Sequence, residues 1–203
     1  ISGVESLNTI LEHTVIPDRI EAGTYMIATA LVGGEVTISD ILPSHLSIII
    51  KKLIEAGATI DVYKTSLTIK SSDDINSVSI DTSEYPGFPT DLQAQWMALM
   101  TLASGNTKIT ENIYKDRFTH IAELERFGSV IELNENTALI KGVKKIKSAP
   151  VMSTDIRASA SLVIAALKAD GESEISRIYH LDRGYENIVD KFKGLGANIK
   201  RVK

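Results

Sequence analysis

Three aspartates each stand at the mouth of an apolar segment: Asp18 in PDRIEAGT, Asp91 in FPTDLQAQ and Asp155 in STDIRASAS. An aspartate at a helix start can accept the unpaired backbone N–H groups of the first turn, worth about 1 kcal/mol, and that duty alone would account for the residue type. Caps need no arginine, however, and Arg19 and Arg157 follow two of these residues closely. Pro86 and Pro89 stiffen the approach to Asp91, fixing a carboxylate beyond what capping requires. Asp-Arg pairs recur in YKDRFTH (Asp116, Arg117) and HLDRGYE (Asp182, Arg183). Each could be an exposed ion pair of little energetic weight. Guanidinium forks suit carboxylate and phosphate oxygens, and helix N-termini attract anions. Gathered at one end of a domain, these groups would bind an anionic substrate. His120 and His180 flank the second set of turns and read as packing residues without a catalytic role.

The elements that must position these groups repeat three times. Each Asp opens a run that is apolar or small on every side: EAGTYMIATALV, QAQWMALMTLA and ASASLVIAALKA. A helix without a polar face must be buried all round. Glycine ends each run, and an alternating segment follows (EVTISDI, TKITENI, SEISRI), the signature of a strand. An amphipathic helix comes next (LSIIIKKLIEAG, FTHIAELERFG, YENIVDKFKGLG), then a further strand (ATIDVYK, SVIELNE, ANIKRVK). A pair of strands is expected before each opening Asp. The glycines closing the second helices, Gly57, Gly128 and Gly196, lie about 40 residues after their Asp, a constancy that marks an internal repeat. The predicted fold is α/β: one domain of three ββαβαβ units, at about 1–64, 65–136 and 137–203, with helices in the middle and short sheets outside. That arrangement inverts the usual one, in which the sheet is buried.

The 203 residues carry a net charge of −4, no cysteine and 5% aromatics. No basic run marks a nucleic-acid surface. Disulfides, thiolate metal sites and a thiol nucleophile are excluded within the chain. No metal-ligand cluster or phosphate-binding glycine loop stands in it, so neither a metal nor another cofactor is expected. No apolar run reaches the ~18 residues that span a bilayer, and the first residues lack the pattern of a signal peptide, so a soluble, cytoplasmic protein is expected, with small molecules rather than nucleic acid or membrane as partners. Because the sequence opens on Ile1, it is expected to be cut from something longer.

The strings PDRIEAGT, PGFPTDLQAQ, ITENIYKDRFTH, STDIRASASLV and RIYHLDRGYE together resemble the UDP-N-acetylglucosamine enolpyruvyl transferases of bacterial peptidoglycan synthesis, in order over the whole chain. The resemblance implies the inside-out α/β barrel of the enolpyruvyl transferases, two such domains per protein, and a cleft between them that closes on phosphoenolpyruvate and the nucleotide sugar. It further implies that Asp91 is the general base toward the sugar hydroxyl, that Arg183 binds phosphoenolpyruvate, and that Asp155 and Arg157 serve the reaction centre. Arg117 would lie along the cleft, and the backbone of Ile113 would contact the nucleotide sugar.

The family's phosphoenolpyruvate-reactive Cys or Asp, its flexible loop and a substrate-binding Lys have no counterpart in this sequence. The chain is therefore expected to be the carboxy-terminal half, to need the amino-terminal domain as a partner, and to be inactive alone. Residues 1–17 are expected to close the domain themselves, completing the third repeat. Enolpyruvylshikimate phosphate synthase, a noncatalytic scaffold of the same repeats, and an RNA-terminal-phosphate cyclase are the competing assignments. The acidic charge and the missing catalytic histidine motif weigh against the last of these.

Overall fold

A computed structural model describes residues 2–7, 9 and 12–202. Helices α1 (Arg19–Val32), α3 (Gln93–Met100) and α5 (Ile156–Lys168) pack against one another at the centre. All eight residues of α3 are buried, as are Ala22–Leu31 of α1 and Ala158–Ala165 of α5. Alanine, serine, threonine and glycine among the larger side chains let the three axes approach closely. Gly23 shows how tight the packing is: a Cβ there would lie 2.5 Å from Leu92 Cδ1.

The sheets lie outside this trio. In the first repeat β1 (Glu35–Ser39), β2 (Thr59–Val62) and β3 (Ser66–Lys70) form an antiparallel sheet in the order β1-β3-β2. In the second, β4 (Ile80–Asp81), β5 (Asn106–Thr110), β6 (Val130–Asn134) and β7 (Thr137–Lys141) take the order β4-β5-β7-β6. Here β5 pairs with β7 as β1 pairs with β3, so the repeat read from sequence is a repeat of topology. Leu67, Ile69, Ile109, Ala138 and Ile140 face inward and are buried, while their neighbours along each strand face out. Helices α2 (Ser47–Glu55), α4 (Ile121–Arg126) and α7 (Ile188–Gly194) bury one stripe each, through Ile49 and Leu53, Ile121 and Leu124, and Ile188 and Phe192. A short helix, α6 (Tyr179–Asp182), precedes α7.

The three central helices point the same way. Near their starts, Thr24 of α1, Gln95 of α3 and Arg157 of α5 all reach the hydroxyl of Tyr185. At their far ends, Gly33, Gly105 and Lys168 line one cavity of about 560 Å³. Parallel helices add their dipoles, so the Tyr185 end collects three partial positive charges.

The third repeat departs from expectation. Its sheet has two strands, β8 (Pro150–Met152) and β9 (Glu174–Ser176), paired in parallel as β4 pairs with β5. Residues 197–202 form no strand, and neither do the described residues of 2–17, where Val4, Leu7, Val15 and Ile16 are exposed. The expected closure of the domain by residues 1–17 is thus not observed in the described residues; Ile1, Asn8, Ile10 and Leu11 lie outside them. The physical reason is pairing. The β6 segment is held because the chain reverses at Glu135 (φ 53°) and returns as β7, whereas among the described residues no strand lies beside 197–202.

Candidate functional site

Two of the three opening aspartates are caps. Asp18 Oδ1 accepts the backbone N–H groups of Ile20 and Glu21 at 2.7 and 3.2 Å. Asp155 Oδ1 accepts those of Arg157 and Ala158 at 2.8 and 2.9 Å, and its Oδ2 accepts from the Thr119 hydroxyl at 3.3 Å. Burial works against the charge of Asp155, but the N–H donors of Ala158 and Arg157, with His120 and the Thr119 hydroxyl, outweigh it and hold the carboxyl below its ordinary range.

Asp91 does otherwise. It lies inside a 3-10 turn, Thr90–Leu92, that precedes α3, and its side chain caps nothing. Its Oδ1 instead faces Arg117 Nη1 at 2.9 Å and Arg157 Nε at 3.3 Å. The loop that carries it is pinned from below. Phe88 is buried edge-on against Trp96 with ring centroids 5.4 Å apart, Trp96 Nε1 donates to the Val78 carbonyl, and Ser83 N donates to Phe88 O.

Beneath this pair lies a buried hydroxyl network. Tyr185 OH meets Thr24 Oγ1 at 2.9 Å and accepts from Gln95 Nε2 at 3.2 Å and Arg157 Nη1 at 3.5 Å; Gln95 Nε2 also donates to the Asp91 carbonyl. Burial pushes the Tyr185 hydroxyl up, against the pull of Thr24 and Arg157. Burial presses the Arg157 guanidinium down, but its interactions with Tyr185 and with the Asp91 carboxylate prevail and raise it above its ordinary value. Tyr185 reaches the centre because Gly184 packs on the start of α5, where a Cβ would stand 2.5 Å from Ile156 Cγ2.

The structure thus joins Asp91, Arg117 and Arg157 directly, with Asp155 one residue pair away at the start of α5. Arg183 is exposed at the end of α6 and makes no ion pair among the described residues, since the neighbouring Asp182 is held by Arg201. Ile113 is exposed in the loop after β5, its backbone N–H held by the Glu111 carboxylate at 2.9 Å. His120 is buried, stacks on Phe118, and is pushed down to about 4 by burial, with Arg117 adding to the effect and Asp155 opposing it. It is a neutral packing residue at pH 7. Sequence reasoning missed Glu111, Thr90, Gln95, Thr24 and Tyr185; the polar residues Thr24 and Gln95 inside apolar runs were the available signal. Among the described residues no group of three or more His, Asp or Glu side chains could hold a metal ion, and no helix is long and apolar enough to cross a membrane.

A family model described as EPSP synthase (3-phosphoshikimate 1-carboxyvinyltransferase) matches residues 1–192. The chain belongs to this family. UDP-N-acetylglucosamine 1-carboxyvinyltransferase of Desulfosudis oleivorans is 53% identical over 202 residues, covering all of this chain and 48% of that protein. The enzyme of the same name from Myxococcus xanthus is 49% identical over 203 residues, again with 48% of its length covered. The chain spans about half the length of these curated relatives. Among solved structures, the enolpyruvyl transferase NikO from Streptomyces tendae superposes with a TM-score of 0.83 at 26% identity, over 93% of this chain and 45% of that one. EPSP synthase from Acinetobacter baumannii superposes with a TM-score of 0.62 at 14% identity, over 80% and 39% of the two chains, which speaks for the fold alone. The inside-out α/β architecture of the enolpyruvyl transferases is the fold of this chain.

Proposed function

We propose that this chain forms one wall of an enolpyruvyl transferase that moves the enolpyruvyl group of phosphoenolpyruvate onto a ring hydroxyl of UDP-N-acetylglucosamine, in bacterial peptidoglycan precursor synthesis. The observation that carries the reading is the position of Asp91: a carboxylate relieved of capping, half-exposed, and held between two guanidinium groups. The names of relatives about half identical to this chain over its whole length support the acceptor. A cytoplasmic location accompanies it, as does the absent amino-terminal domain, which would supply the facing wall.

In the reaction the acceptor hydroxyl oxygen bonds to C2 of phosphoenolpyruvate, the bond from that carbon to the phosphate oxygen breaks, and the hydroxyl proton leaves by way of Asp91. Arg157, anchored on Tyr185 and on the start of α5, offsets the negative charge of the substrates at the pole where three helix N-termini converge. Asp155 serves through Arg157, whose backbone it holds. Arg183, exposed and unpaired among the described residues, is available to the phosphate or carboxylate of phosphoenolpyruvate. Arg117 fixes Asp91 along the cleft, and Ile113 presents backbone to the nucleotide sugar.

A second acceptor, shikimate phosphate, is raised by the description of the family model. Phosphate release from phosphoenolpyruvate by the full-length protein, measured with each acceptor, decides between them. Release with UDP-N-acetylglucosamine alone supports the proposal, release with shikimate phosphate alone overturns the acceptor, and release with neither favours a scaffold.

A further inference from the structure

Glu111, the residue after β5, is fully buried, yet no cation touches its carboxylate among the described residues. Four neutral donors hold it. Its Oε1 accepts from the Thr82 hydroxyl at 2.7 Å and from the backbone N–H groups of Ile113 and Tyr114 at 2.9 and 3.0 Å, and its Oε2 accepts from the Thr90 hydroxyl at 2.9 Å. A buried carboxylate is costly unless every lone pair is used. Closing the turn at 113–114 would need only a short polar side chain. Glu111 instead ties three separate segments: the end of β4 through Thr82, the Asp91 loop through Thr90, and the loop carrying Ile113.

The link to Asp91 is directional. The Thr90 hydroxyl donates to Glu111 and in turn accepts from Arg117 Nη1 at 3.0 Å, and the same nitrogen lies 2.9 Å from Asp91 Oδ1. Only an acceptor at position 111 sends the Thr90 proton away from Arg117. We propose that Glu111 is a positioning residue that sets the proton-accepting carboxylate and the acceptor-binding backbone at Ile113 in a single register, so that it governs use of the nucleotide sugar and not of phosphoenolpyruvate. The inference rests on the roles proposed above for Asp91 and Ile113.

Glutamine keeps the size of Glu111 but offers one acceptor oxygen. Its amide nitrogen must face a donor, least harmfully the Thr90 hydroxyl, which then turns its proton toward Arg117. In the full-length enzyme, Glu111→Gln is expected to lower kcat/KM for UDP-N-acetylglucosamine by about tenfold or more, within the ~10²-fold that a 1 Å misplacement can cost. The KM for phosphoenolpyruvate is expected to stay within about twofold of the wild type. A merely structural role would reduce the folded fraction and leave both KM values alone. Should Glu111→Gln fail to fold, Thr90→Val, which breaks the same link from a partly buried position, is expected to give the same acceptor-selective loss. Unchanged kinetics per folded molecule, or KM values raised equally for both substrates, would overturn the role of Glu111 alone. A wild-type enzyme that does not use the nucleotide sugar would overturn the functional proposal and this role with it.

Discussion

Asp91 Oδ1 and Arg117 Nη1 stand 2.9 Å apart, and neither group is sealed from solvent: the Asp91 side chain is 38% exposed and that of Arg117 is 23% exposed. An ion pair so placed adds little to stability, on the order of 0–1 kcal/mol. It fixes where a carboxylate points.

Asp91→Asn separates the two roles of this residue. The amide fits the same space and removes no cap, so thermal unfolding should shift by no more than a few degrees. Turnover by the full-length enzyme should fall by ~10²- to 10⁴-fold, as expected for loss of a proton acceptor. Retention of near-normal turnover would remove Asp91 from the chemistry.

Asp18 and Asp155 provide the contrast. Asp18→Ala should cost about 1 kcal/mol in urea unfolding, through loss of the cap on α1, and should leave turnover by the folded enzyme nearly intact. Asp155→Ala should cost a similar amount and also lower turnover, because the same carboxylate holds the backbone of Arg157. Equal effects of the two substitutions on turnover would contradict this division.

Acid should weaken the domain through His120. Its folded value of about 4 lies below the ordinary 6.5, so the unfolded chain takes up the proton first as the pH falls. The contribution is complete above pH 6.5 and is lost progressively toward pH 4, amounting to roughly 3 kcal/mol. Urea midpoints between pH 7.5 and 4.5 should show the loss, and His120→Gln should flatten the curve. An equally steep curve in the variant would assign the effect elsewhere.

Gly184→Ala tests how the Tyr185 network is held. The added methyl would collide with Ile156 at the start of α5, moving the segment that carries Arg183 and Tyr185. The KM for phosphoenolpyruvate should rise several-fold or more in the full-length enzyme, and crystallography of the variant should show the 183–185 turn displaced. A normal KM would show that the contact yields without moving the turn.

The central helices were legible because nothing in their sequences offers a polar face, and the repeats because each Asp is followed by the same succession of elements. Pro86 and Pro89 mark Asp91 out in the sequence, but the geometry that frees its carboxylate from capping was not legible there. Asp18, Asp91 and Asp155 all precede apolar runs, and what sets Asp91 apart is a 3-10 turn at Thr90–Leu92 that carries its carboxylate off the helix axis. Glu111 was hidden for a different reason: its side-chain partners Thr82 and Thr90 come from other segments, brought near only by the pairing of β4 with β5. The ends of the chain failed because alternation shows that a segment can be a strand, while a strand exists only where another lies beside it.

The third sheet therefore has a consequence for handling the protein. On one side, the Met152 N–H of β8 is already taken by Glu123. On the other, β9 presents open main-chain donors and acceptors among the described residues, close in character to a template for recruiting another polypeptide. Kept alone at high concentration, the 203-residue chain should stick to its own copies, and light scattering should rise with concentration well below the unfolding temperature.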